Sequence, residues 1–216
     1  ASMFYPKPDH TKIKFAIFAS AAISYLLQTQ RDAVGLCTFD SQVNLLTQVK
    51  STSAHLNKVF HHLQETIQPK NVSVKTKTEV AEVLDEIAEK IHKRSLVIIF
   101  SDFFDSSEDE GKLFKALQHI RHNKHEVIVF HVTDRKTEEE FDFEQRQTEF
   151  IDLESGERIT INPQEIKTVY QNQAKAYYKA VKQKCLQYKI DFIEADISDG
   201  FQHILQSFLI KRSKMK

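Results

Sequence analysis

The sequence has no surplus of charge: 30 Lys and Arg balance 30 Asp and Glu over 216 residues. Proteins that bind nucleic acid as their main ligand exploit a basic excess to engage phosphates, so nucleic acid is not expected as the partner. Glycine is also scarce, with four residues. No Gly-rich phosphate loop, GxGxxG turn or GxSxG elbow is present, and a phosphate cradle is hard to build without those glycines. The two cysteines, Cys37 and Cys185, sit in unrelated contexts with no CxxC pair. That disfavours a zinc site or disulfide scaffold and points to a reducing, cytoplasmic compartment. No stretch approaches the roughly 20 apolar residues a membrane span requires. Phe15 to Leu27 is too short and has helical periodicity.

What is present is an alternation of amphipathic and short apolar segments. Lys12 to Gln28 has the periodicity of a helix, with Asp9 or Thr11 as its cap. Ala33 to Phe39 is a short apolar run expected to form a buried strand. Asp40-Ser41 is a turn, and Val43 to Thr47 returns antiparallel at an edge. Helices are expected over Ser53–Ile67 and Thr78–His92, separated by a polar loop from Asn71 to Lys77. Leu96 to Phe100 (LVIIF) is the strongest strand pattern. Helix Lys112–His122 and strand Glu126–Val132 follow. The charged segment from Arg135 to Gln147 reads as an exposed connection. Two short strands around Glu154-Ser155-Gly156-Glu157 form a hairpin insertion near 148–161. A long helix runs from Asn162-Pro163 to about Tyr188, then a strand over Asp191–Ala195 and a closing helix over Phe201–Ile210. This order predicts one α/β domain over residues 1–216. It is a Rossmann-like, three-layer αβα sandwich, mostly parallel, with one antiparallel edge strand.

In such sheets the site lies beyond the carboxyl ends of the strands. That directs attention to Asp40, Asp102, Asp105 and the loop before Thr78. Each has a plainer role as well. Asp40 is a turn residue, Asp105 a helix cap, Thr78 an N-cap, and Asp102 either a cap or a functional carboxylate. Among the ten histidines, adjacent His61 and His62 cannot chelate from one helix face. His119, His122 and His125 are expected on the surface, and His131 inside the sheet. Cys37 is expected to be inert packing. Tyr170, Tyr177, Tyr178 and Tyr188 fall on one helix, to pack on the sheet or to face a partner.

The segments VGLCTFD, TEVAEVLDEIAEKIHKRSLVIIFSDFFD, HEVIVFHVTD and FIDLESGERITINP carry a resemblance. The chain resembles a bacterial family with a von Willebrand A-like domain, domain-of-unknown-function family 58. Such domains carry a metal-ion-dependent adhesion site: a D-x-S-x-S turn after the first strand, a loop threonine and a later aspartate. The resemblance implies that Ser2 is the second serine of that turn, Thr78 the loop threonine and Asp102 the distal aspartate. Asp40 and Asp105 would lie on the partner-binding rim. The leading Asp and first Ser of the turn, and the strand before them, are not among these residues. Ala33–Phe39 and Leu96–Phe100 are expected to flank that strand's slot.

Hydroxyl and carboxylate oxygens suit a hard cation such as Mg2+. The resemblance therefore implies a non-enzymatic protein-interaction module with a partial adhesion site. Its implied partner is a MoxR-type AAA ATPase, in protein assembly or maturation. The rival expectation is an enzyme or phosphoacceptor domain using Asp102 with Mg2+.

Overall fold

A computed structural model describes residues 2–6, 11–40, 42–67, 80–91, 94–102, 110–143, 147–151 and 157–213. Its centre is a parallel sheet of three strands, β3 (Leu96–Ser101), β4 (Glu126–Thr133) and β7 (Asp191–Asp196), in that order. Here β4 lies between its two neighbours, and alternation along it sends side chains to two cores. Val127 and Val129 join Ile99 of β3 against α3 (Val80–Lys90), α4 (Glu110–His122) and the end of α5 (Pro163–Gln187). Ile128, Phe130 and Val132 face the opposite way, onto α1 (Lys12–Thr29) and α6 (Gln202–Ser213). A strand covered on both faces has no polar side to show. That is why LVIIF and VIVFHV are almost unbroken apolar runs. Helices therefore flank both faces, the arrangement of a Rossmann-like α/β fold.

Local chemistry fixes the helix starts. Thr11 caps α1, its hydroxyl accepting from the Lys14 N–H at 3.3 Å. Thr52 caps α2 (Ser53–Thr66), and Asn162 caps α5 with Pro163 in the first turn. The hairpin of β5 (Thr148–Ile151) and β6 (Arg158–Ile161) is antiparallel. It is anchored by Phe150, which stacks on Phe141 with ring centroids 5.5 Å apart.

Two expectations about the strands need correction. First, the apolar run Ala33–Phe39 forms a ladder only over β1 (Cys37–Phe39), with a separate bridge from Val34 to Lys50. Second, β1 and β2 (Val43–Leu46) make a two-stranded sheet of their own rather than the edge of the parallel sheet. Apolar content marks burial, but a ladder exists only where a partner backbone lies alongside.

Among the described residues, β1 pairs with β2 alone and β3 with β4 alone. Cys37 and Phe39 of β1 and Val97 of β3 nevertheless pack against one cluster. Among the described residues no strand covers the outer edge of either, and each buried backbone group left unmet there would cost about 1–3 kcal/mol. Such edges promote association. The isolated chain is expected to gain mass with concentration in sedimentation velocity. A monomer of constant mass that unfolds cooperatively would contradict this.

Candidate functional site

Each strand of the parallel sheet ends at an aspartate: Asp102 after β3, Asp134 after β4 and Asp196 closing β7. Parallel pairing in register brings these ends to one rim. All three aspartates are buried, which requires each to have a partner. Thr137 donates to Asp134 at 2.6 Å. Asp196 accepts from the Ser198 N–H at 3.0 Å and lies 3.6 Å from the Arg135 guanidinium.

Asp102 has a less expected partner. Lys12, the first residue of α1, donates to its Oδ2 at 2.9 Å and to Glu138 Oε1 at 2.5 Å. Lys12 is 1% exposed, Asp102 6% and Glu138 8%. A lysine is almost never buried this deeply unless it is paired. Burial pulls its pKa down, but the attraction of Asp102 and Glu138 and their hydrogen bonds outweigh burial, so the net shift is upward. Burial pushes the Glu138 carboxyl up, and Lys12 offsets this only in part. The imbalance is physical: one ammonium faces two carboxylates in a dry place.

Glu138 belongs to a short π-helical turn, Arg135–Glu139, and its second oxygen accepts from the Asp134 N–H at 3.0 Å. The expected exposed connection from Arg135 onward is corrected in part: Arg135, Lys136 and Glu140 are exposed, but Glu138 and Phe141 are buried. Phe141 also meets Tyr170 of α5, at 4.3 Å between centroids. Tyr5 completes the enclosure. Its ring lies 5.9 Å from Lys12 Nζ, and its hydroxyl hydrogen-bonds with Thr137.

His131 fixes Asp102 from beneath. Its Nε2–H donates to the Asp102 carbonyl at 2.9 Å, and its ring packs on Tyr178 and Phe192. Burial pushes its pKa down to about 4, so the imidazole is neutral at physiological pH. The tyrosines of α5 and its C-cap thus serve packing: Tyr178 on His131, Tyr170 on Phe141, and Tyr188, just after α5, beside Phe114.

The residues predicted from sequence fare differently. Asp102 lies on the rim, at the end of its outer strand β3. Ser2 sits in a 3-10 turn, Ser2–Phe4, and its carbonyl accepts from the Tyr5 N–H. The link from Ser2 to Asp102 runs through Tyr5 and Lys12. Asp40 is exposed at the end of β1, its carboxylate accepting from the Gln42 N–H and the Asn44 amide, as a turn residue does. Thr78 and Asp105 lie outside the described residues. His125, expected on the surface, is buried, with Nδ1 accepting from the Ser95 N–H at 3.2 Å. It ends a helix-to-strand turn, where the helical pattern that suggested exposure no longer applies.

Among the described residues, Asp102 does not fit the Mg2+ that the adhesion-site resemblance implies. A magnesium ion needs an open carboxylate oxygen and room for retained waters. Asp102 is buried and already receives the Lys12 ammonium. Two like unit charges 4 Å apart repel by about 4 kcal/mol even at an effective dielectric of 20.

The cysteines are not reactive groups. Burial raises Cys37 to about 11 and Cys185 to about 12. Thiolate is the reactive form. Both thiols are therefore expected to resist a disulfide reagent near neutral pH until the chain is unfolded; rapid native-state labelling of either would contradict their placement.

A family model described as "Protein of unknown function DUF58" matches residues 1–180. No curated protein matches the chain. Among solved structures, the conserved hypothetical protein BatB from Bacteroides thetaiotaomicron shares the fold with a TM-score of 0.58 at 14% identity. The match covers 99% of this chain and 94% of that one.

Proposed function

Because this chain belongs to the DUF58 family of proteins of unknown function, we propose that it is a non-enzymatic protein-interaction module of von Willebrand A type. Its docking face is the carboxyl rim around Asp102. The partner is a MoxR-type AAA ATPase, and the setting is assembly or maturation of other proteins.

One observation carries the reading. The strand-end carboxylates are each engaged by a group of the protein itself: Asp102 by Lys12, Asp134 by Thr137, Asp196 by Ser198 and Arg135. A general acid or base must be within reach of a substrate, whereas these carboxylates are buried and serve as fixed struts. They hold a charged outer shell in place. Arg135 and Asp199 are about half exposed there, 3.7 Å apart.

Immobilised chain should retain the ATPase in a pull-down, with or without Mg2+, and charge reversal at Arg135 should weaken capture. Loss of capture in both conditions would count against the reading. A phosphoacceptor would need Asp102 open to an incoming phosphoryl group. Incubation with acetyl phosphate is accordingly expected to leave the intact mass unchanged.

A further inference from the structure

We infer that Lys12 is the resident cation of this rim: its ammonium stands where the adhesion-site reading places Mg2+, so docking there proceeds without metal. The inference rests on the docking reading for its biological use, but its chemistry can be tested separately.

Three observations support it. The ammonium touches the carboxylate assigned to the metal, Asp102, and holds a second one, Glu138, from the turn after the neighbouring strand β4. All three side chains are buried, so the contacts are built into the fold rather than made by a mobile surface lysine. Finally, Lys12 is in an unfavourable place for a lysine by local rules. The start of a helix carries about half a positive charge and favours anions, yet the first turn of α1 contains no acidic residue and begins with Lys12. Helix propensity and dipole do not explain a cation here; the carboxylates across the fold do.

The local electrostatics point the same way. The ammonium and the helix terminus behind it together present roughly one and a half positive charges to two carboxylates. That approaches what a bound divalent ion would supply, but on a tether that cannot dissociate. An ion arriving from solution meets no free Asp102 oxygen on the side that Lys12 occupies. A partner therefore docks against a rim where Lys12, rather than a metal ion, meets Asp102, and chelators leave the interaction intact.

The test uses Mn2+ as the paramagnetic probe, with free Mn2+ read by electron paramagnetic resonance. The unsubstituted chain should leave Mn2+ free to about 1 mM, a range that would reveal even weak sites. Lys12→Met, checked for folding by circular dichroism, should bind Mn2+ at least about tenfold more tightly. Adding Asp102→Asn should abolish that gain. If Lys12→Met does not fold, Lys12→Gln replaces it; if neither folds, Mn2+ should restore their circular dichroism, and failure to do so overturns the inference. It is overturned equally by a folded Lys12 variant blind to Mn2+. Uptake by the unsubstituted chain that Asp102→Asn removes also overturns it. Loss of ATPase capture without any change in these Mn2+ results would remove the docking reading and leave Lys12 as the rim's cation.

Discussion

Replacing Lys12 with methionine is expected to cost about 3–5 kcal/mol of stability near neutral pH, because it strands two buried carboxylates without their counter-ion. Methionine roughly preserves the volume of the stem, so the loss comes from charge rather than from a cavity. Removing one acid instead should matter less. Glu138→Gln leaves Lys12 paired with Asp102 and deletes the carboxylate that burial already disfavours. Its expected cost is about 1 kcal/mol, the scale of one hydrogen bond. Urea unfolding of the three proteins gives the order directly.

The pH dependence carries a definite sign. The Lys12 pKa is raised above its ordinary 10.5 in the folded protein. Its contribution is therefore whole below that value and is lost only as pH climbs through the folded one. The parent keeps this contribution across the neutral range, where its carboxylate partners are ionised. In Lys12→Met the Glu138 carboxyl, already raised by burial, loses the cation that lowers it and is relieved by protonation, so the deficit narrows as pH falls. A deficit below about 1 kcal/mol, or one that does not change with pH, would mean that the cluster is incidental to stability.

The same cluster marks where reading the sequence succeeds and fails. LVIIF and VIVFHV are legible because a strand buried on both faces must be apolar throughout, and that constraint is local. Asp102 is legible as a rim residue because it follows such a strand. Lys12 and Glu138 are not, because their meaning depends on partners 90 and 126 residues apart in the chain. Glu138 is hidden further in a stretch so rich in charge that composition alone reads it as solvent-exposed. One local clue was available for Lys12: a cation opening a helix that has no acid in its first turn opposes the dipole and so demands a distant reason. The run Ala33–Phe39 fails for the converse reason. Its apolar character is real, but only Cys37–Phe39 has a strand beside it.

Acid should reveal the second large effect, through His131. Its folded pKa of about 4 lies below the ordinary 6.5. The stability this represents is fully present above pH 6.5 and is lost as pH falls toward the folded value, because the unfolded chain takes up the proton first. A gap of that size corresponds to about 3 kcal/mol at 1.36 kcal/mol for each pKa unit. Glu138 acts with the opposite sign. Its carboxyl is raised, so acidification relieves a buried charge and adds stability as pH falls toward its ordinary 4.5. The parent's own pH profile therefore understates His131, and a difference measurement is needed. His131→Gln cannot titrate but keeps an N–H donor for the Asp102 carbonyl. It loses the ring's packing on Tyr178 and Phe192, a cost that does not depend on pH. The variant should be the less stable protein near pH 7, and its deficit should shrink by about 3 kcal/mol on the way to pH 4, or reverse, as the parent's imidazole is forced to charge. A deficit that stays constant over that range would mean that His131 titrates normally. The neutral imidazole would then not be what holds Asp102 at the rim.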